Sequence, residues 1–338
     1  MNLSYMVLWL TTDCNLRCKY CYACAGEAKQ YMDFATAKAV IDGIQGPFRI
    51  QLAGGEPLLN FDLVKRIYAY AKQQRKKVLL ALQTNGTLLT PGIAKELKEM
   101  NISVGVSLDG PPEVNEQLRG KTGEVIRGIK YLAEYGINVN LTCVISVHNI
   151  GYLPLLVDYA FYLGNVKGIG LDLLRKTGNA LENAVPEASP DEISHYLTEA
   201  YQRTKYFYQK TGRHIVIREI ASARKRLERG IAAHGYCLAA VGKAAVVLPN
   251  GQVYPCGSLA GRPAYLMGQI TEPLKCRGIP LPNNYFPLCE TCSYGKICSR
   301  GCPARAIINN EDTCFSLQDC AVRKTAFQIV EKEKRFTK

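Results

Sequence analysis

YMVLWLTTDCNLRCKYCYACAG (residues 5–26) sets an apolar run directly against four cysteines. The run YMVLWL (5–10) reads as a β-strand, and the cysteines fall in the loop that leaves it. Cys14, Cys18 and Cys21 form C-x3-C-x2-C, with Tyr20 just before the third and Tyr22 just after it. Three thiolates can hold three corners of a [4Fe–4S] cube and leave one iron open. A structural zinc knuckle would want a second ligand pair nearby, and no Cys or His pair follows before position 143. Cys24, three residues past the motif, reads as a bystander, because a fourth thiolate would close the open iron.

Outward from this loop, the first 175 residues alternate. Short β-rich runs recur at FRIQLAG (48–54), VLLALQT (78–84), ISVGVSL (102–108), INVNLTCVIS (137–146) and KGIGLDLL (167–174). Segments of helical period lie between them, such as FDLVKRIYAYAKQQ (61–74) and GEVIRGIKYLAEYG (123–136). Strands alternating with helices predict βαβ units and a parallel sheet. Six units make a partial (βα)6 barrel, short of the eight that close one, and the loop after the first strand lies on the face where such barrels carry their sites. SPDEISHYLTEAYQRTKYFYQKTGRH (189–214) predicts one long helix, and residues 218–230 a second. From 237 the alternation is lost. Residues 237–320 are rich in Cys, Gly and Pro, with one hairpin, KAAVVLPNGQVYPCG (243–257), turning at Asn250-Gly251. Too little periodic apolar sequence remains there for a core, so metal must supply the cross-links. The last segment, SLQDCAVRKTAFQIVEKEKRFTK, predicts a helix. The expected division is 1–230 for the barrel and 231–338 for the Cys-rich domain.

The 338 residues are 47% hydrophobic and 21% charged, as in ordinary globular proteins. No run approaches a membrane span, and the N-terminus has neither the basic region nor the cleavage site of a secretory signal. A reducing cytoplasm is therefore expected, where fourteen cysteines point to metal or catalysis rather than disulfides. The formal charge of +13 is spread out, with short runs only at 72–77 and 332–338, which read as solvated helix faces and not as a nucleic-acid surface. Cys143, inside an apolar strand, reads as a buried small hydrophobe. The four histidines, at 148, 195, 214 and 234, show no paired spacing and read as structural or surface residues.

CNLRCKYC resembles the C-x3-C-x-aromatic-C motif of the radical S-adenosylmethionine (SAM) superfamily. The resemblance continues through AGGEPLL (53–59), QTNGTLL (83–89), SLDGP (107–111) and EQLRG (116–120). It implies that Cys14, Cys18 and Cys21 hold a [4Fe–4S] cluster whose open iron takes the amino and carboxylate groups of SAM. Tyr20 would adjoin the cofactor. The backbone of Gly54, Gly55 and Glu56 would bind the methionine amino group, with Pro57 stiffening the turn. Ser107 and Asp109 would face the carboxylate and ribose, and Arg119 would fork onto the carboxylate. Leu171 or Leu173 could pack on adenine, although core packing explains them equally well. Reductive cleavage of SAM to a 5′-deoxyadenosyl radical, which abstracts a hydrogen, is the implied chemistry.

Cys237, Cys256, Cys289, Cys292, Cys298, Cys302 and Cys320 follow an order that resembles the SPASM extension of the peptide- and protein-modifying members. Two auxiliary [4Fe–4S] clusters are implied, three clusters in all. Cys289, Cys292, Cys298 and Cys320 would hold the outer one, with Cys314 as a competitor for Cys320. Cys237, Cys256 and Cys302 would hold the inner one, completed by Cys276 or left open for substrate.

The resemblance implies first a peptide- or protein-modifying enzyme that forms thioether or carbon crosslinks. Its partners would be a peptide or protein substrate, a reductant such as ferredoxin or flavodoxin, and a separate leader-binding protein, because only about a dozen residues precede the first cysteine. The alternative is a maturase for a redox cofactor or its host enzyme, of quinone, haem or tungsten-enzyme type. Sulfatase formylglycine maturation is disfavoured, because Gly257 stands where that branch carries an Asp. An iron–sulfur electron carrier would leave the GGEP loop and the open C-x3-C-x2-C unexplained, and a zinc-binding regulator would carry zinc rather than iron when purified anaerobically.

Overall fold

The computed structural model describes residues 3–230, 237–272, 274, 276–279, 289–309 and 316–336. Its strands are β1 (Tyr5–Trp9), β2 (Phe48–Ala53), β3 (Val78–Thr84), β4 (Ser103–Ser107), β5 (Val139–Ile145), β6 (Val166–Leu173) and β7 (Val216–Ile217), then β8 (Ala244–Val247), β9 (Gln252–Tyr254) and β10 (Gly268–Gln269). All ten form one sheet in the order β10-β9-β8-β1-β2-β3-β4-β5-β6-β7. Strands β1 to β7 run parallel, joined through helices such as Phe61–Lys72 and Thr122–Glu134. This is the expected α/β partial barrel, extended by one very short strand beyond the sixth.

The hairpin differs from expectation in where it sits. Strand β8 pairs in parallel with β1, so the Cys-rich region continues the barrel sheet. An edge strand leaves a row of backbone donors and acceptors without partners, and β8 supplies them for β1. The expected division at 230/231 falls just after the helix Arg218–Arg229 and runs into residues outside the described set.

The sheet has two unlike faces. Ile50, Leu52, Leu82, Val104, Val106, Leu141, Cys143, Ile145, Leu171 and Leu173 are buried in the main core. Leu171 and Leu173 thus lie in the main core, as core packing alone would place them. The alternate positions, Gln51, Gln83, Ser107, Thr142 and Asp172, are only part-buried and polar, as the two-residue period of a strand requires. The barrel therefore presents a polar inner groove and an apolar outer wall.

The long helix Pro190–Thr211 starts with a capping box, Ser189 to Glu192, and ends at Gly212 with φ +72°. The C-terminal helix Leu317–Phe336 packs on it and on Arg218–Arg229, burying Val322, Ala326, Phe327 and Val330. A small second core of Ala239, Ala244, Leu259, Ile279, Cys302, Ala304 and Ile308 lies beneath the Cys-rich loops. Among the described residues no helix is long and apolar enough to cross a membrane.

Candidate functional site

The loop after β1 is held from three sides. Gly55 N donates to Thr11 O at 2.8 Å and Glu56 N to Asp13 O at 2.9 Å. Asn85, past the end of β3, donates to Asn15 Oδ1 at 2.9 Å. Asn179 donates to Cys18 O at 3.1 Å through its side chain and to Cys21 O at 3.0 Å through its backbone. The double glycine is needed for the first clamp. A Cβ on Gly54 would stand 2.3 Å from Thr11 O, and one on Gly55 2.0 Å from Asp13 O. The close approach that glycine permits here is first to the cysteine loop itself. Pro57 opens the short 3-10 helix Pro57–Asn60 and is buried.

Glu56 is fully buried, and its carboxylate accepts from Leu58 N at 3.0 Å, Thr84 Oγ1 at 2.7 Å and Asn85 N at 2.7 Å. It pins the GGEP turn to the end of β3. Burial pushes its carboxyl up to about 7, against those hydrogen bonds.

Cys14, Cys18 and Cys21 come together. Burial is the main cause that raises the Cys14 and Cys18 thiols, Cys18 to about 11, and the nearby Cys21 sulfur adds to the rise at both. Donors face them: Leu16 N lies 3.5 Å and Asn85 Nδ2 3.8 Å from Cys14 Sγ, and Arg119 Nη1 lies 4.0 Å from Cys18 Sγ. Clustered soft sulfurs, two of them met by N–H groups, fit an iron–sulfur cluster, which deprotonates its ligands and is tuned by such donors. Cys24, with φ +44°, sets its sulfur against Gly178; burial and then nearby charges, Cys21's among them, raise its thiol.

Asp109, Arg119 and Tyr20 bond to one another. Asp109 is buried, and its carboxylate is saturated by Arg119 Nε at 2.8 Å and Nη2 at 3.3 Å, by Val144 N at 2.9 Å and by the Tyr20 hydroxyl. It cannot turn to a ribose without abandoning a buried arginine. Tyr20 is buried too, with the Arg119 guanidinium 5.3 Å from its ring centre. These three form a packed wall behind Cys18. The remaining Nη1 edge of Arg119 is the part that faces the cysteine site. Ser107 Oγ accepts from Gln83 Nε2 at 3.2 Å inside the groove, with Thr142 reaching the same Gln83 at 3.4 Å.

In the Cys-rich region, Cys289, Cys292, Cys298 and Cys320 line one cavity with Tyr294, Arg300, Arg323, Lys324 and Phe327. Cys256 and Cys302 pack on the second core, and the exposed Cys237 lies near enough to Cys256 to disfavour its charge. Cys276 packs instead against the main core. Cys314 and His234 lie outside the described residues. Among the described residues no three His, Cys, Asp or Glu gather as around a single ion; a cube distributes its thiolates over separate irons.

Sequence reasoning missed the charges between the two cysteine regions. Asp172, near the end of β6, takes Arg175 Nη1 at 2.8 Å and Arg305 Nη2 at 3.0 Å. Burial would raise its carboxyl, but the two arginines hold it below the usual carboxylate range. Arg175 also donates to Ser258 Oγ at 2.6 Å and lies 5.2 Å over Tyr22. A lone acid at the carboxyl end of a barrel strand was the available signal.

The family model described as the radical SAM superfamily matches residues 10–160. An AdoMet-dependent heme synthase of Methanosarcina barkeri is 30% identical over 335 residues, covering 90% of this chain and 93% of that protein. A pre-heme d1 synthase of Dinoroseobacter shibae is 28% identical, covering 89% and 82% respectively. The structure of native anSMEcpe with bound AdoMet superposes with a TM-score of 0.79 at 21% identity, covering 99% of this chain and 100% of that one. Motif, fold and full-length relatives agree, and the chain belongs to the radical SAM superfamily, as an enzyme of its SPASM type.

Proposed function

We propose that this radical SAM enzyme acts on a tetrapyrrole, as a maturase in the formation of a haem-type cofactor. The observation that carries this reading is the 30% identity to a heme synthase along nearly the whole of both chains, Cys-rich region included. A peptide- or protein-modifying role, the first expectation from sequence, has behind it a likeness of fold and a relative at lower identity, a cysteine-type anaerobic sulfatase-maturating enzyme of Clostridium novyi at 23%. The formylglycine reaction is disfavoured at the site itself. Gly257 follows Cys256, and the next residue, Ser258, is held by Arg175, a cation where that chemistry wants a proton acceptor.

Cys14, Cys18 and Cys21 would hold the SAM-binding cluster, Cys289, Cys292, Cys298 and Cys320 the outer cluster, and Cys237, Cys256 and Cys302 the inner one. When bound, the reduced cluster supplies the electron that cleaves SAM to a radical able to abstract hydrogen. The chain does the rest. Glu56 and the double glycine fix the SAM turn against the cysteine loop. Arg119 presents Nη1 toward that loop, where a carboxylate would sit. Gln83, Ser107 and Thr142 offer neutral polar groups along the groove. Reducing equivalents would come from a carrier such as ferredoxin or flavodoxin.

The test is anaerobic turnover of reconstituted protein with SAM, a reductant and iron coproporphyrin III, an iron porphyrin bearing propionates. The expected result is 5′-deoxyadenosine formed in step with a mass change in the porphyrin. Cofactor cleavage that neither depends on nor alters any iron porphyrin offered would overturn the reading.

A further inference from the structure

Four charged side chains lie between the barrel and the Cys-rich loops, and they alternate in sign. Arg175 meets one oxygen of Asp172 at 2.8 Å, and Arg305 meets the other at 3.0 Å. Arg305 then turns its Nη1 to both oxygens of Asp319, at 3.1 and 3.0 Å, and its Nε to Leu173 O at 3.3 Å. Asp319 accepts from Cys302 N at 3.2 Å. The Arg305 side chain is 1% exposed and that of Asp319 3%. At its other end the chain of charges reaches Ser258, two residues past Cys256, and the face of Tyr22, next to Cys21.

Placing charge here is costly. A buried ion pair often stabilises no better than apolar residues of the same volume. The location offers a reason for it. The set touches the backbone of Cys302 and the turn after Cys256, and Asp319 precedes Cys320. The same charges would act on any anion at those sulfurs.

We propose that Arg305, Arg175, Asp172 and Asp319 are a positioning network that fixes Cys256 and Cys302 and sets the reduction potential of the auxiliary cluster they hold. This rests on the reading that those cysteines are cluster ligands. Reduction adds negative charge to the cluster, so the fixed arginines favour it and Asp319 opposes it. The sign of each variant follows. Removing Arg305 leaves Asp319 without its buried cation and makes the cluster harder to reduce. Removing the Asp319 charge makes it easier to reduce.

The experiment is an EPR-monitored redox titration of the full chain carrying Cys14→Ala, Cys18→Ala and Cys21→Ala, so that the auxiliary clusters alone report. The inner signal is identified by its loss in Cys256→Ala. Arg305→Met is expected to lower the reduction equilibrium about tenfold, which is ~59 mV for one electron. Arg175→Gln, at the less buried end, shifts it the same way. Asp319→Asn shifts it upward, and Arg305→Lys stays near the starting value. Damage to packing alone would not give opposite signs for Arg305→Met and Asp319→Asn. An inner signal that is unmoved, or moved in one direction by both, overturns the network's role. If Cys256→Ala removes no signal, the ligand assignment itself fails and takes this inference with it.

Discussion

Asp109 and Arg119 stand behind the cysteine loop as one buried ion pair. The pair is buried, with side-chain exposures of 0% and 9%. Breaking a buried pair by removing one member strands the other charge, at a cost on the order of 3–5 kcal/mol. Asp109→Asn keeps an acceptor for Val144 N but leaves Arg119 without its anion. A loss of that size is expected in chemical denaturation; a change under about 1 kcal/mol, the scale of an exposed pair, would show that the wall behind Cys18 is not built on this contact. Glu56 works through pH. Its folded carboxyl sits at about 7, above the 4.5 of an unperturbed Glu. A carboxyl raised on folding stabilises fully below the unfolded value, and that contribution is lost as pH rises through the folded one. The wild type should therefore lose stability relative to Glu56→Gln between pH 5 and pH 8, by on the order of 3 kcal/mol for a shift of that size. Denaturation midpoints of both proteins across that range check this, and a difference that stays constant with pH refutes it.

At the scale of elements, the C-terminal helix Leu317–Phe336 does two jobs. It covers Pro190–Thr211 and Arg218–Arg229, and it closes the cavity that holds four cysteines. Phe327 serves both. It is 2% exposed, stacks on Tyr294 with ring centres 4.8 Å apart, and lines that cavity. Phe327→Ala should cost about 3–5 kcal/mol and release the outer cluster, a loss of about four irons per chain. Iron and sulfide analysis after anaerobic reconstitution decides it; an undiminished iron content would mean that the helix is a cover only. Strand β8 is the other element with a second role, because it pairs with β1, whose loop carries Cys14, Cys18 and Cys21. The hairpin thereby brings Gly257 against Trp9 and Tyr22, where a Cβ would lie 3.2 Å from Trp9 Cζ2 and 3.0 Å from the Tyr22 hydroxyl.

For the whole molecule, the two cysteine regions share one sheet but make separable demands. The loop after β1 is clamped by β3 and the 178–179 segment, whereas the later cysteines rest on the second core and the C-terminal helix. Replacing Cys14, Cys18 and Cys21 together by Ala should abolish SAM cleavage and lower the iron content from about twelve to about eight per chain. Undiminished 5′-deoxyadenosine production would refute the assignment of these three. Collapse of all bound iron would show that the regions are not independent.

The spacing of Cys14, Cys18 and Cys21, the glycines of the GGEP turn and the alternation of strands with helices could be read directly, because each is a local constraint. A cluster fixes the spacing of its ligands, a close backbone approach fixes glycine, and pleat and helical turn fix the period of apolar residues. The same locality explains what could not be read. Asp109 looked available to a ligand until Arg119 and Tyr20 closed on it, and Leu171 and Leu173 could face either side until the register of β5 and β6 placed them in the core. Asp172, Arg175, Arg305 and Asp319 are spread over 148 positions of the chain, and no pattern in the residues between them says that they meet. Local residue patterns thus dictate the Cys-based chemistry and the class of sheet that carries it. Only the tertiary structure decided which charges pair across that sheet, because a side chain's partner is set by proximity in the folded molecule and not by separation along the chain.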